Sequence, residues 1–165
     1  GTPFFFYTPS GQRDVIVRKK EVYDGAVPSG NSVMACNLFR LGILLDKPDW
    51  KQQGLDMTAS LGNAITRYPT SFGNWACLLY ELVEGTNEIA ITGNGFSGLH
   101  TDILKEYIPH RVLMAANQPD PRYPLLAGKK AMNQPSAWLC RNYTCRLPVF
   151  SAKDLISLIN RAKKR

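Results

Sequence analysis

The stretch YDGAVPSGNSVMACNLFRL, residues 23–41, decides the first part of the fold because it joins a polar loop to the strongest helix signal in the chain. Its Asp-Gly pair predicts a turn, and Pro28 excludes regular structure just before it. The side-chain oxygens of Ser29 or Asn31 can accept hydrogen bonds from the free N–H groups of a first helical turn. The apolar residues that follow recur at helical spacing. The stretch therefore predicts a helix over residues 30–46.

The helical pattern continues after this first helix. Asp49 can cap a second helix, in which apolar residues keep the helical period as far as Tyr68. Pro69 stops that helix, and a third one follows and ends at Gly85, a residue type that suits the end of a helix. Because short loops between successive helices favour antiparallel neighbours, we expect an antiparallel helical portion here.

Strand signals lie on both sides of the helices. Residues 4–8 and 14–18 predict a short N-terminal hairpin. Further strands are predicted at 88–92, 111–116 and 137–140, with a helix at 98–107 between the first two and a closing helix at 152–163. This β-α-β order predicts neighbouring parallel strands joined by a right-handed crossover. We therefore predict a mixed α and β fold, with antiparallel helices in residues 1–87 and a small three-stranded α/β lobe in residues 88–165.

The composition is that of an ordinary globular protein. The chain has 165 residues, 44% of them hydrophobic and 20% charged, which is typical of soluble domains. No apolar run approaches the roughly 20 residues that a membrane-spanning helix needs, and the first residues do not follow the pattern of a signal peptide. We therefore expect a cytoplasmic protein without a membrane partner. The abrupt start on Gly-Thr-Pro leads us to expect a fragment of a longer chain.

Positive charge is concentrated in the second half of the chain. Residues 1–88 contain 8 Lys and Arg against 9 Asp and Glu, whereas residues 89–165 contain 12 against 4. Clustered cations can follow the phosphates of a nucleic acid, but they also suit a solvated helix C-terminus because of the helix dipole. No nucleic-acid motif accompanies the charge. We therefore interpret it as a solvated surface and expect no nucleic-acid partner.

The segment Gly93-Asn-Gly-Phe-Ser-Gly98 matches the G-x-G-x-x-G pattern of dinucleotide-binding proteins and lies between a predicted strand and a predicted helix. Such glycines let a pyrophosphate approach a helix N-terminus. However, the unit contains only about three strands, and the acidic residue expected about 20 positions later is missing, because the second strand ends at Ala116 and Asn117. We therefore interpret the segment as a plain glycine-rich connection and expect no cofactor site.

The four cysteines do not form a recognised metal or redox motif. Cys36 and Cys77 lie on apolar helix faces, so we expect them in the core. Cys140 and Cys145 are spaced C-x4-C, which matches neither the C-x-x-C of a redox pair nor a set of zinc ligands. They can still form a disulfide if the chain turns and brings their Cα atoms within about 7 Å. We expect no metal site, since the two histidines lie on separate loops.

Polar residues before the first helix are the candidate site. We expect Tyr23, Asp24, Ser29 and Asn31 to gather at its N-terminus and to face a concave surface. Free N–H groups and the positive end of the helix dipole would favour an anionic or hydroxyl-rich ligand there. Asp24 is the candidate catalytic acid or base, although no second carboxylate adjoins it in sequence. The alternative is that these residues only hold the turn and cap the helix.

Four motifs occur in the same order as in a known family: YDGAVPSGNSV (23–33), NLFRLG (37–42), LLAGK (125–129) and WLCRNYTCRLP (138–148). They resemble the C-terminal end of the YyaL family, whose animal members are called spermatogenesis-associated proteins or spermatid-specific thioredoxins. Its members look like a thioredoxin-like domain followed by an (α/α) toroid similar to six-hairpin glycosidases and sugar epimerases. By this resemblance, the chain would hold the last toroid helices and the lobe after them, without the thioredoxin-like domain.

The resemblance implies two alternative functions. In the first, the chain is the structural and ligand-lining end of an uncharacterised toroid protein of carbohydrate metabolism, without catalysis of its own. Loops that enter the inner helices of such toroids line a central cavity, so residues 23–32 would contribute to a pocket for a sugar-like molecule. In the second, the chain is an interaction or thiol-linked module that serves the thioredoxin-like domain through Cys140 and Cys145. In both, its partner would be the remainder of its own parent chain.

Overall fold

The computed structural model describes residues 2–130 and 132–162. Within these residues the chain forms six α-helices and one four-stranded sheet, which confirms the predicted mixed α and β fold. The chain divides into two compact units. The first comprises residues 1–43 and 47–83, and the second comprises residues 44–46 and 84–165. The boundary predicted from the sequence, at residue 87, lies within the second unit.

The helices of the first unit follow the predicted order with one division. They are α1 (Gly30–Leu44), α2 (Pro48–Ala59), α3 (Gly62–Arg67) and α4 (Gly73–Glu84), with a 3₁₀ turn at Pro69–Ser71 before α4. The predicted first helix at 30–46 corresponds to α1. The predicted single helix between residues 49 and 68 is instead divided into α2 and α3.

Local hydrogen bonding explains how the second predicted helix differs. The Ser60 hydroxyl donates to the carbonyl of Met57 at 2.8 Å, a local bond that competes with helix propagation, and Gly62 then disfavours continuation. At the other end, Pro48 occupies the first helical turn and Lys47 the N-cap position. Asp49 therefore lies in the first turn and is not the N-cap that the sequence predicts. Its negative charge there interacts favourably with the helix dipole.

The predicted N-terminal hairpin is wrong, since residues 2–22, all of them described, contain no strand. The amide of Tyr7, in the first predicted segment, donates to the carbonyl of Lys19 at 2.8 Å, one residue beyond the second predicted segment. Ile16 is fully exposed and Val17 largely so. A strand at these residues would have no buried face, and burial of one face is what specifies the pairing of strands.

Two glycines allow α1 and α2 to approach closely. A Cβ atom on Gly54 would lie 2.8 Å from the carbonyl oxygen of Ala35 and 3.1 Å from the Cβ of Phe39, and one on Gly42 would lie 2.7 Å from the amide nitrogen of Lys51. Interiors of this kind are close-packed, so the neighbours cannot easily move. The buried apolar side chains of the unit are Ala35, Phe39, Ile43, Met57, Ile65, Phe72, Trp75 and Leu78.

The second unit is built on a sheet with the strand order β2-β1-β3-β4. Its elements are β1 (Asn87–Thr92), α5 (Ser97–Lys105), β2 (Arg111–Ala116), β3 (Ser136–Arg141), β4 (Thr144–Cys145) and α6 (Ala152–Ala162). The predicted parallel pairing is confirmed, since β1 and β2 are parallel neighbours with Ile89 opposite Leu113. Strand β3 is antiparallel to β1 on its other side. The strand β1 is therefore central, and all six of its residues are buried.

The fourth strand was not predicted, because its turn lacks the usual sequence signal. Asn142 and Tyr143 connect β3 to β4 with φ angles of 46° and 61°. Two-residue hairpin turns of type I′ have positive φ at both central positions and usually show Asn-Gly there. The carboxylate of Glu88, a buried residue, accepts hydrogen bonds from the amides of Asn142 and Tyr143, each at 2.9 Å. These bonds hold a tyrosine in a conformation that is rare for its residue type.

The closing helix α6 packs its apolar side on the core of the second unit through Leu155 and Ile159. Its start is capped, because the Ser151 hydroxyl accepts from the amide of Asp154 at 3.1 Å. The predicted helix extends to position 163, which lies outside the described residues.

Over residues 2–130 and 132–162, no helix has the length and apolar character that crossing a membrane requires.

Replacing Gly54 with alanine is expected to lower stability, because the new Cβ would lie 2.8 Å from a backbone oxygen of α1. Overpacking of this kind costs about 1–3 kcal/mol of unfolding free energy. Gly62→Ala is the matched control, since a Cβ there has no neighbour within 4 Å and alanine favours a helix. Urea unfolding followed by circular dichroism measures both variants. Equal midpoints would contradict the close approach of α1 and α2.

Candidate functional site

The four predicted site residues lie around the start of α1. Asp24 and Ser29 are directly bonded, because an oxygen of the Asp24 carboxylate accepts from the Ser29 amide at 2.8 Å. Asn31 lies in the first turn of α1 and is buried, whereas the side chain of Tyr23 is exposed. The structure therefore places all four residues near the start of α1. The concave surface and the ligand remain predictions.

The Asp24 carboxylate is surrounded by donors. Its Oδ1 accepts from the Ser29 amide at 2.8 Å and from the Ser32 hydroxyl at 2.7 Å. Its Oδ2 accepts from the amides of Asn74 and Trp75, at 2.8 and 3.4 Å, in the first turn of α4. One side chain thus ties the loop before α1 to the N-terminus of α4, where a negative charge suits the helix dipole. We call these contacts the Asp24 clamp.

The clamp stabilises the ionised form of Asp24. Burial acts to raise the pKa of this carboxyl, but the hydrogen bonds from Ser29, Ser32 and the first turn of α4 outweigh it and lower the pKa below its ordinary value. The group is therefore ionised at neutral pH and is no proton donor there. Its contacts give it a structural task, and a role in acid–base chemistry stays a prediction.

Ser29 is the N-cap of α1, in agreement with the capping alternative. Its hydroxyl accepts from the amide of Ser32 at 3.1 Å and donates its O–H to the carbonyl of Val22 at 3.3 Å. The Asn74 side-chain amide donates to the Ser32 hydroxyl at 3.0 Å. Two serines one turn apart therefore connect the clamp to the start of the helix.

The side chain of Asn31 forms its hydrogen bonds with the backbone of the N-terminal segment. Its Oδ1 accepts from the Phe5 amide at 2.8 Å, while its Nδ2 donates to the carbonyls of Phe5 and Glu21 at 3.0 and 2.7 Å. The side chain thus pairs with both backbone groups of Phe5, as a neighbouring strand would. Sequence patterns did not indicate this role, because the paired residue lies 26 positions away.

Tyr23 differs from its three neighbours in being open to solvent. Its side chain is 63% exposed, and its ring lies 5.1 Å from the ring of Phe72, tilted by 41°. Phe72 is itself buried. The buried ring of Phe72 therefore packs against the exposed ring of Tyr23. The Asp24 clamp fixes the backbone at the residue after Tyr23.

An ion pair that the sequence did not indicate lies on the facing sides of α1 and α4. Arg40 donates from Nη2 and Nε to one oxygen of Glu81, at 2.7 and 3.2 Å. Glu81 is buried, and the periodic pattern of α4 gives no sign of a charge on the inner face.

The two free cysteines differ in burial. Burial raises the pKa of the Cys36 thiol, which keeps it protonated. Cys77 is exposed, so its expected place in the core is wrong.

Cys140 and Cys145 form a disulfide across the β3–β4 hairpin, with Cα atoms 3.9 Å apart. The sequence allowed such a bridge if the chain turned between them. Oxidised sulfurs are not thiolate ligands, and among the residues that the structure describes no three His, Cys, Asp or Glu side chains gather as a metal would require.

The glycine-rich segment lies where the sequence placed it, between β1 and α5. Gly93 and Gly95 have φ angles of 126° and 74°. A cavity of about 440 Å³ adjoins it at the carboxyl ends of β1 and β2, and its lining residues are Thr92, Gly93, Asn94, Asn117, Gln118, Pro119, Met132 and Asn133. None of these lining residues is acidic. The described lining therefore offers no carboxylate that could bind a ribose.

The chain is similar over most of its length to spermatogenesis-associated protein 20. It is 27% identical over 155 residues to the protein of Homo sapiens and 25% identical over 158 residues to that of Mus musculus, which cover 87% and 89% of this chain. An uncharacterised protein of Caenorhabditis elegans is 21% identical over 164 residues, or 95% of this chain. No protein-family model and no solved structure matches the chain.

The chain spans 20% of the length of the two mammalian relatives and 22% of the nematode one. The similarity supports the resemblance to spermatogenesis-associated proteins that the sequence motifs indicate. The names of these relatives state no reaction. The YyaL assignment, the toroid and the thioredoxin-like domain therefore stay predictions.

Asp24→Asn is expected to lower the unfolding free energy by about 1–3 kcal/mol, because the amide NH₂ cannot accept the bonds that one carboxylate oxygen now accepts. Asp14→Asn removes the same charge from an exposed residue and should change stability by less than about 0.5 kcal/mol. Urea unfolding at pH 7 compares the two variants. Equal effects would show that the clamp does not stabilise the first unit.

The effect of Asp24→Asn should also depend on pH. Because the folded-state pKa of Asp24 is lowered, its stabilisation is complete above the unfolded-state pKa of about 3.9 and is lost as pH falls through the folded-state value. The stability difference between wild type and Asp24→Asn should therefore shrink below about pH 4. Unfolding series from pH 7 to pH 3 measure it, and an unchanged difference over that range would contradict the lowered pKa.

We expect no saturable binding of NAD or ATP at Gly93–Gly98 at micromolar concentration, because the acidic ribose partner is missing. Isothermal titration calorimetry tests this directly. Gly95→Leu serves as the control for specificity, since it would block the approach of a pyrophosphate. Binding in the wild type that is lost in Gly95→Leu would contradict the prediction.

Proposed function

We propose that this chain is a structural and ligand-lining part of a longer, carbohydrate-active protein and has no catalytic activity of its own. The ligand is a sugar-like, hydroxyl-rich small molecule that binds beside the start of α1. The partner of the chain is the remainder of its parent protein, which we expect to contain the toroid and the thioredoxin-like domain that the sequence motifs imply.

The observation that carries this proposal is the exposed ring of Tyr23 on a fixed support. The Asp24 clamp holds the next residue in the chain and the ring of Phe72 contacts the ring of Tyr23, while Tyr23 stays 63% exposed. A tyrosine presents a flat apolar ring with a hydroxyl at its tip, which suits the apolar face and the hydroxyl groups of a sugar. Binding sites of this type combine aromatic walls with a few placed polar groups.

The state of Asp24 supports the absence of catalysis in this chain. Glycoside hydrolysis uses two carboxyl groups, one of which must be protonated to serve as the general acid. The pKa of Asp24 is lowered, and the two oxygens of its carboxylate accept four hydrogen bonds. A carboxylate in this state is a poor acid and a weak base. Any catalytic carboxyl pair would therefore come from other parts of the parent protein.

The extent of the similarity supports a partial site. The relatives continue well beyond the region that matches, since the matched part is 20% of the mammalian proteins. A single exposed aromatic ring is one wall of a sugar site. The remaining walls would come from the parent chain, as in toroids whose central cavity is lined by several loops.

The test is native mass spectrometry of the longest natural chain that contains this sequence, with maltotriose, cellotriose and chitotriose as probes. We expect saturable binding of at least one trisaccharide, weakened about tenfold or more by Tyr23→Ala, which removes an aromatic wall worth roughly 1–3 kcal/mol. Tyr7→Ala is the matched control, because Tyr7 lies in the same unit and is 79% exposed.

Two outcomes would contradict the proposal. Binding that survives Tyr23→Ala, or no binding of any probe, would remove the ligand-lining role. Hydrolysis of a trisaccharide by the 165-residue chain alone would show that the chain carries its own catalysis.

A further inference from the structure

The β3–β4 hairpin of the second unit carries an arrangement that the ligand proposal does not use. The Cys140–Cys145 disulfide joins directly opposed residues of the two strands. Cys140 is buried, whereas Cys145 is partly exposed. A cavity of about 210 Å³ lies beside the bridge and is lined by both cysteines, together with Arg141 and Arg146 among others. The disulfide is therefore reachable from solvent at Cys145.

A lysine contacts this accessible sulfur. The ammonium of Lys129 lies 3.1 Å from Sγ of Cys145. Burial lowers the pKa of Lys129, and the nearby charge of Glu88 partly opposes this effect. The same ammonium lies 5.8 Å from the centroid of the Trp138 ring. A sulfur in a disulfide is a weak acceptor, so neither contact gives the half-buried cation an anionic partner while the bridge is intact. A thiolate at the same position would be a strong partner, as cations beside cysteines are known to stabilise thiolates.

We propose that Cys140, Cys145 and Lys129 form a thiol–disulfide exchange site, which accepts two electrons from a dithiol and in which Lys129 stabilises the Cys145 thiolate. This site does not depend on the ligand proposed for Tyr23, because its residues all lie in the second unit.

The exchange proceeds in two displacements. A thiolate of the dithiol attacks Sγ of Cys145, a mixed disulfide forms, and the Cys140–Cys145 bond breaks as Cys140 leaves with the electron pair and takes up a proton. The second thiolate of the dithiol then attacks the partner's own sulfur in the mixed disulfide. The partner's disulfide closes, and Cys145 leaves as a thiolate beside the Lys129 ammonium. The dithiol is oxidised, and the Cys140–Cys145 bridge is reduced.

The hairpin keeps the two sulfurs in position after reduction. The ladder pairs Cys140 with Cys145 and Arg141 with Thr144, and Glu88 holds the amides of the turn at 2.9 Å. None of these contacts involves the sulfur atoms. The reduced cysteines therefore stay opposed, and an oxidant can close the bridge again, which makes the site reversible.

The experiment equilibrates the intact protein in buffers of reduced and oxidised dithiothreitol, blocks free thiols by alkylation, and counts the reduced fraction by peptide mass spectrometry. Peptide mapping separates Cys140 and Cys145 from the free Cys36 and Cys77. In Lys129→Met the equilibrium constant for reduction should fall about tenfold, because the thiolate loses its cation. Lys130→Met removes the same charge from the adjacent residue and should leave the constant unchanged.

A second measurement identifies the attacked sulfur. Brief treatment with reduced glutathione, followed by acid quenching, should place glutathione on Cys145 because Cys140 is buried. Glutathione on Cys140 would overturn this assignment. Equal constants for wild type, Lys129→Met and Lys130→Met would overturn the role of Lys129. Reduction that occurs only when circular dichroism shows unfolding would overturn the exchange site as a whole.

Discussion

The first unit depends on the charge-assisted hydrogen bonds of Asp24. They join the loop before α1 to the N-terminus of α4 across 50 residues of sequence. The indole N–H of Trp75 also donates a hydrogen bond to the carbonyl of Val22 in the same loop, at 2.8 Å. The clamp therefore fixes the backbone next to Tyr23, whose ring contacts Phe72 just before α4. An ionised carboxylate suits this task, since it can accept several N–H bonds at a positive helix end.

The second unit uses a buried carboxylate in a similar way. Glu88 lies on the central strand and accepts both amides of the β3–β4 turn. Asn142 and Tyr143 need positive φ, a costly conformation for a tyrosine, and the hydrogen bonds from their amides help to offset that cost. In each unit, one acidic side chain thus satisfies backbone N–H groups of a segment far away in sequence. Such groups would be costly to leave unpaired inside the protein.

The sequence predicted those features that depend on local patterns. The apolar period after Asn31 predicts α1, and two short apolar runs with a helix between them predict the parallel pairing of β1 and β2. The features that were missed depend on distant partners. Glu81 is buried because Arg40 reaches it from another helix, and β4 forms because Glu88 holds its turn. The roles of single polar residues could not be predicted for the same reason, since their donors and acceptors become neighbours only on folding.

The polar side chains of this chain differ in whether their hydrogen-bonding groups are already occupied within the fold. The carboxylate of Asp24 accepts from four donors, and the side chain of Asn31 makes three hydrogen bonds, so a ligand would have to displace contacts that hold the fold. Lys129 is in the opposite state, because its half-buried ammonium contacts a disulfide sulfur. In the proposed exchange site, reduction of the bridge gives this cation a thiolate, which is a stronger acceptor. Lys129 would therefore stabilise the reduced state more than the oxidised one, as the proposed exchange site requires.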